Sequence, residues 1–253
     1  MIFRAKKDGW KFFFTDEKFL RAFDEILDAL ERRAGTVLGA DTESRRLRLI
    51  LKAAVPGLGA GTPFVLKREW FVFRFDRTLK SFLFGSNARS ILKASDRADA
   101  EGFRDFCRTF FVAERSRLGV LRETVSVIEF LDGHSLDAEA TLIDGGENGW
   151  AMSEATKREA RELLENCHRH GIVSGDVHPG NFFRTKSDGR LKLIDFRGKK
   201  LLSAVAEARD RVQMERIMHI PDEKKDWGEK VFRAHLALRN ALRRLRGRPP
   251  LDY

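Results

Sequence analysis

Residues 171–200, GIVSGDVHPGNFFRTKSDGRLKLIDFRGKK, constrain the fold more than any other part of the chain. Asp176 and Asn181 lie five residues apart in a predicted loop, and Asp195 follows Asn181 by fourteen residues at the end of an apolar strand. The sequence KSDGR, between the predicted strands NFFRT and LKLIDF, favours a tight turn. A hairpin of this length would bring Asn181 and Asp195 toward one point.

The residue types at these three positions suit phosphoryl transfer. Mg²⁺ prefers oxygen ligands and is usually held by one or two protein groups together with phosphates. We therefore predict that Asn181 and Asp195 bind Mg²⁺. Asp176, before the first strand, is predicted to be the catalytic carboxylate that accepts the proton of a hydroxyl nucleophile. Phosphoryl transfer needs mainly positioning and charge neutralisation, and these groups supply both.

The order of these residues resembles the catalytic and metal-binding loops of the protein-kinase-like superfamily. Its D-x-x-x-x-N motif stands here as Asp176 to Asn181, and its apolar-apolar-D-F motif stands as LIDF at 193–196. The alternative is an ordinary polar loop followed by a hairpin. A helix, a loop, a hairpin and three polar residues at kinase spacing favour the kinase interpretation, which implies ATP and Mg²⁺ as cofactors.

A kinase fold also requires a lysine on an upstream strand. Lys67 ends the apolar run PFVLK and is predicted to reach the nucleotide phosphates, with Lys52 as the alternative. A helical glutamate is expected to hold this lysine. Glu101 in DRADAEGF is the predicted partner, and Glu114 is the alternative.

Hydrophobic periodicity divides the chain into a part rich in strands and a part rich in helices. Helices are predicted over 17–33, 96–115, 153–170 and 205–246, and strands over 45–55, 63–75 and 120–130. The predicted class is α+β, a protein-kinase-like two-lobed fold with a small antiparallel-sheet N-lobe (1–130) and a compact helical C-lobe (131–253). Backbone groups of Glu129, Phe130 and Leu131, near the hinge, are predicted to bind adenine.

Local signals mark where two of the helices begin and end. The helix over 17–33 is predicted to stop near Gly35. Thr156 and Glu159 fit a capping box for the helix over 153–170, and Gly171 should end it.

Several features depart from the protein-kinase pattern. No GxGxxGxV loop occurs, and GLGAG at 57–61 is predicted to be a hairpin turn, so the first-strand turn should lie around 39–44. Ser174-Gly175 precedes the catalytic aspartate, and Arg197 follows Asp195-Phe196 in place of glycine. No A-P-E motif follows, and 198–253 is too short for a peptide-docking platform. These departures favour a non-protein acceptor.

The chain is similar to the lipopolysaccharide core heptose kinases of Gram-negative bacteria. The similarity is carried by the FVLK strand, the basic insert KSFLFGSNARSIL, the helix RADAEGF, the runs GIVSGDVHPGNF and LKLIDFRGKK, and the segment AEARDRVQMERIMHI. It implies transfer of the ATP γ-phosphate to a heptose hydroxyl of the inner core, at the cytoplasmic face of the inner membrane. It also implies that functional positions of the family are matched here by Lys67, Glu101, Asp176, Asn181 and Asp195.

The resemblance extends beyond these positions. Asp210 and Arg211 match a region with a structural role, an ion pair that supports the catalytic loop. His178 lies in the catalytic loop and is expected to hold it by a hydrogen bond, with substrate contact as the alternative. His134 is expected to be an exposed residue just past the hinge.

Charge and composition limit the kinds of partner that the chain is expected to bind. The net charge of +10 favours polyanions. The basic C-terminal tail, Arg239 to Arg248, is predicted to be either a solvated helix end or a contact for anionic lipid head groups or core phosphates. Nucleic acid is not expected, because the basic stretches lack interleaved aromatic residues. Cys107 and Cys167 make no disulfide framework, and no segment is apolar enough for a membrane span. We expect a cytoplasmic protein with peripheral contact to the inner membrane.

Three other functions remain open. The chain could be a different sugar or small-molecule kinase of the same fold, acting on Kdo or an aminoglycoside. It could be a catalytically inactive kinase fold that serves as a binding module, although all five expected polar residues are present. A basic nucleic-acid-binding protein is the third alternative.

Overall fold

A computed structural model describes residues 1–41, 46–59, 61–71, 86–139, 152–198, 203–222, 224 and 226–251. Residues 80–85 of the predicted basic insert and residues 42–44 of the predicted first-strand turn lie outside these ranges. The chain divides into two compact units, Met1–Leu131 and Asp132–Tyr253.

The first unit is built on an antiparallel sheet. Its strands are β1 (Phe3–Lys7), β2 (Trp10–Phe14), β3 (Thr36–Asp41), β4 (Arg46–Ala54), β5 (Pro63–Phe71), β6 (Thr109–Arg117) and β7 (Val120–Glu129). Its helices are α1 (Glu17–Arg21), α2 (Phe23–Arg32) and α3 (Asn87–Ala100). In the described part of the chain the strands form one seven-stranded sheet in the order β1-β2-β6-β7-β5-β4-β3.

The β4–β5 hairpin follows the sequence prediction. Ala54 pairs with Pro63, and the register continues to Arg46 and Phe71. Pro56–Leu58 forms a 3₁₀ turn between the strands, which confirms that this glycine-rich segment is a hairpin connection. The predicted strand near 120–130 is also confirmed, as β7, and it pairs with both β5 and β6.

The β1–β2 hairpin was not predicted. Its turn is Asp8-Gly9, and both residues adopt positive φ, +50° and +80°. Such a turn matches the twist of two antiparallel strands, which is why Asp-Gly is favoured in it. The hairpin adds two strands at the β6 edge of the sheet.

The prediction of a helix over 96–115 is correct only as far as Ala100 and is wrong for the rest of the range. Helix α3 begins after the N-cap Ser86, whose hydroxyl accepts a hydrogen bond from the Arg89 amide, and it ends at Ala100. Gly102 follows with a φ of +80°. The stretch from Thr109 is the strand β6, which buries Phe111 on one side of the sheet and Val112 on the other. A strand buried on both faces reads as a continuous apolar run, so periodicity alone could not separate it from a helix.

The core of the first unit lies between the sheet and the α1–α2 pair. Phe12, Phe19, Phe23 and Phe111 meet there, with the Phe12 and Phe23 ring centroids 4.9 Å apart in an edge-to-face contact. The predicted helix over 17–33 is confirmed with one break, at Ala22. Arg33, in the left-handed conformation, ends it just before Gly35.

The second unit contains the longer helices. Its helices are α4 (Glu154–Arg169), α5 (Ser203–Met218) and α6 (Trp227–Leu245), and its strands are β8 (Gly133–Ser135), β9 (Ile172–Val173), β10 (Phe182–Thr185), β11 (Leu191–Leu193) and β12 (Arg197–Gly198). Strand β10 pairs with β11 and β8, and β9 pairs with β12. The predicted helical region 205–246 is thus two helices. Together the units confirm the predicted α+β class.

One helix cap lies a turn earlier than predicted. Ser153 is the N-cap of α4, and its hydroxyl accepts a hydrogen bond from the Thr156 amide. Glu159, the other residue of the predicted capping box, instead binds Arg184 at 3.0 Å. The helix ends before Gly171, as predicted; this residue has a φ of +75°.

Candidate active site

Two strand pairings place the predicted catalytic and metal-binding loops side by side. Arg197 of β12 pairs with Val173 of β9, so Asp195 lies beside the segment that leads into Asp176. The Ile194 amide also donates to the Asn181 carbonyl at 2.9 Å, extending the β10–β11 pairing by one residue. The hairpin predicted from the sequence is therefore present.

Asn181 is fixed from both its backbone and its side chain. It ends the 3₁₀ turn Pro179–Asn181, and its amide donates to the His178 carbonyl at 2.9 Å. Its Nδ2 donates to the Asp176 carbonyl at 2.7 Å, and the residue is buried. Because the side-chain nitrogen already donates this hydrogen bond, Oδ1 is the atom that remains suited to binding a cation.

Asp176 and Asp195 are both exposed, whereas their neighbours Val177 and Phe196 are buried. Asp195 adopts a left-handed φ of +49°, a conformation that non-glycine residues rarely take. The next residue, Phe196, is only 2% exposed, so its side chain anchors the metal-binding loop in the core of the second unit. The carboxylate of Asp195 is therefore held at the surface. Two carboxylates are therefore presented to solvent from rigid neighbours.

The donor set fits Mg²⁺ better than a metal bound by protein alone. The described residues contain no group of three or more His, Cys, Asp or Glu side chains that could hold a metal ion. Mg²⁺ needs only one or two protein ligands when phosphate oxygens complete its shell. The amide oxygen of Asn181 and the carboxylate of Asp195 meet that requirement.

The loop before Asp176 is anchored by Asp210 on α5. The Asp210 carboxylate accepts hydrogen bonds from the backbone amides of Ser174 at 2.8 Å and Gly175 at 2.7 Å. His168 Nε2 lies 3.0 Å from the same carboxylate. Asp210 is fully buried, so these partners compensate the loss of its hydration. One turn later on α5, Gln213 Oε1 accepts a bond from the Val177 amide at 3.3 Å.

Arg211, the neighbour of Asp210, has a different role. Its guanidinium binds Asp222 at 3.1 Å and Asp226 at 2.7 Å, which joins α5 to the segment that leads into α6. The predicted ion pair is therefore formed away from the catalytic loop, and Asp210 supports the loop through backbone amides.

Arg197, the residue that departs from the kinase pattern, lies against the catalytic loop. A Cβ added to Gly175 would lie 3.4 Å from Arg197 Cδ, so the arginine side chain covers this glycine. Gly175 has a φ of +71°, which also favours glycine. The guanidinium is therefore close to the residue that precedes Asp176.

Gly180 allows a close approach between the catalytic loop and Asp137. A Cβ at Gly180 would lie 2.5 Å from Asp137 Oδ2 and 3.0 Å from His178 Nδ1. Burial raises the pKa of Asp137 above its usual range, and the charge of His178 partly offsets this rise. His178 and the Asp137 carboxylate therefore both lie close to Gly180. His134, past the hinge, is half-exposed, 3.8 Å from Glu139.

In the first unit, Lys67 pairs with an acid on its own strand. Lys67 Nζ lies 3.4 Å from Glu69 Oε1. Glu69 is buried in β5, and its other oxygen accepts a hydrogen bond from Thr124 of β7 at 3.5 Å. Glu101, the predicted partner, follows the end of α3 and pairs with Arg97 at 3.0 Å.

The two alternatives to Lys67 and Glu101 have other contacts. Lys52 lies on the same sheet face as Lys67, because Lys52 pairs with Val65 across β4 and β5. Its Nζ lies 3.9 Å from the centroid of the Phe130 ring. Glu114 is in a strand rather than a helix, and it accepts a hydrogen bond from the Ser86 amide at 3.1 Å.

The predicted adenine-binding segment begins at Glu129, the last residue of β7. The Glu129 amide donates to the Arg108 carbonyl at 2.8 Å, and the Glu129 carbonyl accepts from Cys107 Sγ at 3.2 Å. Phe130 and Leu131 are half-buried. Like Lys67, these residues belong to the first unit, whereas Asp176, Asn181 and Asp195 belong to the second.

A model of the family described as "Lipopolysaccharide core biosynthesis protein (WaaY)" matches residues 1–248. The chain belongs to the WaaY family. It is 32% identical over 178 residues to a protein of Escherichia coli strain K12 named lipopolysaccharide core heptose(II) kinase WaaY, covering 70% of this chain and 71% of that protein. It is 28% identical over 256 residues to an Escherichia coli protein of the same name, covering 98% of this chain and all of that protein.

Sequence reasoning missed three contacts of this WaaY-family chain. Gln213 on α5 binds the catalytic loop, and His168 on α4 binds the Asp210 carboxylate that anchors this loop. Glu69 pairs with Lys67 along a strand. The spacing of Lys67 and Glu69, two residues apart in a strand, was the one available signal, because such residues share a face. Within the ranges described, no helix is long and apolar enough to cross a membrane.

Proposed function

We propose that this WaaY-family chain is an ATP-dependent kinase that transfers the γ-phosphate to a heptose hydroxyl of the lipopolysaccharide inner core. The observation that carries the proposal is that two strand pairings bring the segment of Asp195 beside the loop of Asp176 and Asn181, which Asp210 anchors. The choice of heptose as the acceptor rests on the names of the two relatives.

Asp176 acts as the catalytic residue in this proposal. The acceptor hydroxyl oxygen forms a bond to the γ-phosphorus while the bond from the γ-phosphorus to the β,γ-bridging oxygen breaks. The hydroxyl proton passes to the Asp176 carboxylate, and ADP carries away the electron pair of the broken bond. Exposure of Asp176 leaves it accessible to a bulky acceptor.

Asn181 and Asp195 are the residues that would hold Mg²⁺. A bound Mg²⁺ would neutralise phosphate charge there. Asn181 is suited to this task because its side chain is already fixed by the Asp176 carbonyl. Preorganised ligands lose less freedom on binding.

The first unit, roughly the predicted N-lobe 1–130, is proposed to bind the nucleotide. Lys67 contacts the phosphates, and Glu69 holds its ammonium; Glu101 is retained as the competing partner. Of the three adenine-binding residues, Glu129 already uses its amide within the protein, so Phe130 and Leu131 supply the remaining backbone contacts. Residues 131–253 supply the catalytic and metal-binding groups.

The acceptor is proposed to be a lipid-linked, anionic saccharide. The net charge of +10 favours such a substrate, because its phosphate and carboxylate groups are attracted to the basic surface. A substrate of this kind requires peripheral contact with the cytoplasmic face of the inner membrane. Nucleic acid is not proposed as a partner.

Mass spectrometry of core oligosaccharide from cells with and without this protein tests the proposal. We expect the core from cells with the protein to carry one additional phosphate on a heptose residue. An identical core in both strains would overturn the heptose assignment. A phosphate that appears on Kdo would instead identify another sugar kinase of the same fold.

A further inference from the structure

Helix α6 carries an exposed apolar stripe along its whole length. The stripe consists of Trp227, Val231, Leu238, Leu242 and Leu245, whose exposed fractions are 57%, 47%, 63%, 48% and 83%. At 3.6 residues per turn these five side chains fall within an arc of about 60° and span about 27 Å. We call this surface the outer stripe.

The outer stripe is separate from the face that packs in the core. Phe232 and Leu236 are buried against Ala208 and Val212 of α5. They lie roughly 140° around the helix axis from the stripe. One apolar face therefore holds the helix to the protein, and the second is not needed for that packing.

The edges of the outer stripe are basic. Lys230 lies along one edge and Arg239 along the other, with Arg244 beyond Lys230, and all three are exposed. The one acid within α6, Glu229, is buried and bound to Arg233. A surface helix with an apolar stripe between cations, and without an exposed acid of its own, is typical of helices that lie in a bilayer interface.

We propose that the outer stripe of α6 docks on an anionic bilayer surface, with Trp227 and the leucines at the level of the acyl boundary and the flanking cations at lipid head groups. This proposal deepens the proposed function and rests on it for its purpose, because the acceptor there is lipid-linked. A second copy of the chain fits this surface less well, since two stripes in contact would bring their basic edges together.

Vesicle sedimentation of the full chain, without nucleotide or acceptor, tests this surface. The vesicles are phosphatidylcholine alone, or phosphatidylcholine with about 30% phosphatidylglycerol, matching an anionic leaflet. We expect binding to the anionic vesicles, weakened at least about tenfold by Leu238→Gln/Leu242→Gln and by Lys230→Glu/Arg244→Glu. High salt should weaken wild-type binding as well.

Two matched controls distinguish binding through the outer stripe from non-specific hydrophobic or electrostatic binding to vesicles. Val37→Gln/Leu38→Gln removes two apolar side chains of similar exposure from β3, and Arg4→Glu/Lys6→Glu reverses two exposed charges on β1. Both controls should bind as wild type does. Equal binding by the α6 variants, or no binding by wild type, overturns the proposal. So does a dimer in light scattering that the α6 substitutions dissociate.

The kinase proposal fails independently of this surface. All four variants should phosphorylate a short, lipid-free acceptor at the wild-type rate. Vesicle binding without kinase activity would contradict the kinase proposal and support the membrane-docking proposal. Kinase activity without vesicle binding would contradict only the membrane-docking proposal.

Discussion

The carboxylate of Asp210 accepts a 2.7 Å hydrogen bond from the backbone amide of Gly175, the residue immediately before the proposed catalytic Asp176. The same carboxylate binds the Ser174 amide. A buried acid on α5 therefore sets the path of the loop that presents Asp176. Small displacements of a catalytic group lower the reaction rate strongly, so loss of the Asp210 carboxylate should lower the rate of phosphoryl transfer.

Asp210→Asn should lower kcat about ten- to a hundredfold and change nucleotide affinity less. The amide can still accept one backbone hydrogen bond, but its NH₂ group would face the second backbone donor. We also expect a loss of about 2 kcal/mol in the free energy of unfolding. Steady-state kinetics and denaturant titration measure both effects.

Asp222→Asn is the control for this substitution. The Asp222 side chain is also buried and also binds α5, but through Arg211 rather than through the amides of the catalytic loop. It should lower stability and leave kcat close to the wild-type value. If both variants lost kcat equally, Asp210 would be only a stabilising residue.

The partner of Lys67 can be identified by a set of four substitutions. Lys67→Ala and Glu69→Gln should both weaken ATP binding and turnover, the first by about 10²-fold or more, because the in-strand pair holds the ammonium. Lys52→Ala and Glu101→Gln should have small effects. Calorimetry with ATP and Mg²⁺ provides the measurement. A large effect of Glu101→Gln with a small effect of Glu69→Gln would restore the original assignment.

Gly180→Ala should damage the catalytic loop. The new methyl group would lie 2.5 Å from Asp137 Oδ2, so the loop or the carboxylate must move. We expect a loss of about 1–3 kcal/mol in stability and a lower kcat. Gly39→Ala is the control, because its nearest contact would be an ordinary 3.8 Å from Ile50 Cδ1. Gly180→Ala/Asp137→Ala should recover part of the loss; no recovery would contradict the steric explanation.

Asp137 should make stability depend on pH. Burial raises its pKa in the folded state, so its contribution favours the folded protein at low pH and is lost as pH rises from the unfolded value, about 3.9, through the raised folded value. Asp137→Asn should therefore melt at a higher temperature than wild type at neutral pH. The difference should shrink in acid. A melting difference that does not change with pH would contradict this account.

The catalytic stretch was predictable because its signals are local. A turn sequence, an apolar strand and fixed spacing were sufficient to place Asn181 beside the segment of Asp195, and the hydrogen bond between Ile194 and Asn181 is the result. The support from Asp210 was expected as an ion pair, but its backbone acceptor role depends on how α5 packs. Residue types alone do not specify that packing.

The first unit was less predictable at three places. Strand β6 is buried on both faces, so its sequence lacks the alternation that distinguishes a strand from a helix. The Asp8-Gly9 turn is a local hairpin signal, but β1 before it is rich in basic residues and mostly exposed, so no buried apolar face marks it as a strand. The kinase pattern predicts a helical partner for Lys67, whereas its ion pair in the structure is with Glu69, two residues along the same strand face.

The central claim is tested most directly by transfer of labelled γ-phosphate from ATP to a purified, heptose-containing core acceptor, comparing wild type with Asp176→Asn. We predict that wild type labels the heptose in the presence of Mg²⁺ and does not label casein. Asp176→Asn should bind ATP as tightly as wild type but transfer phosphate at least about 10²-fold more slowly. Absence of transfer by wild type to any heptose-containing core, or equal transfer by Asp176→Asn, would contradict the account.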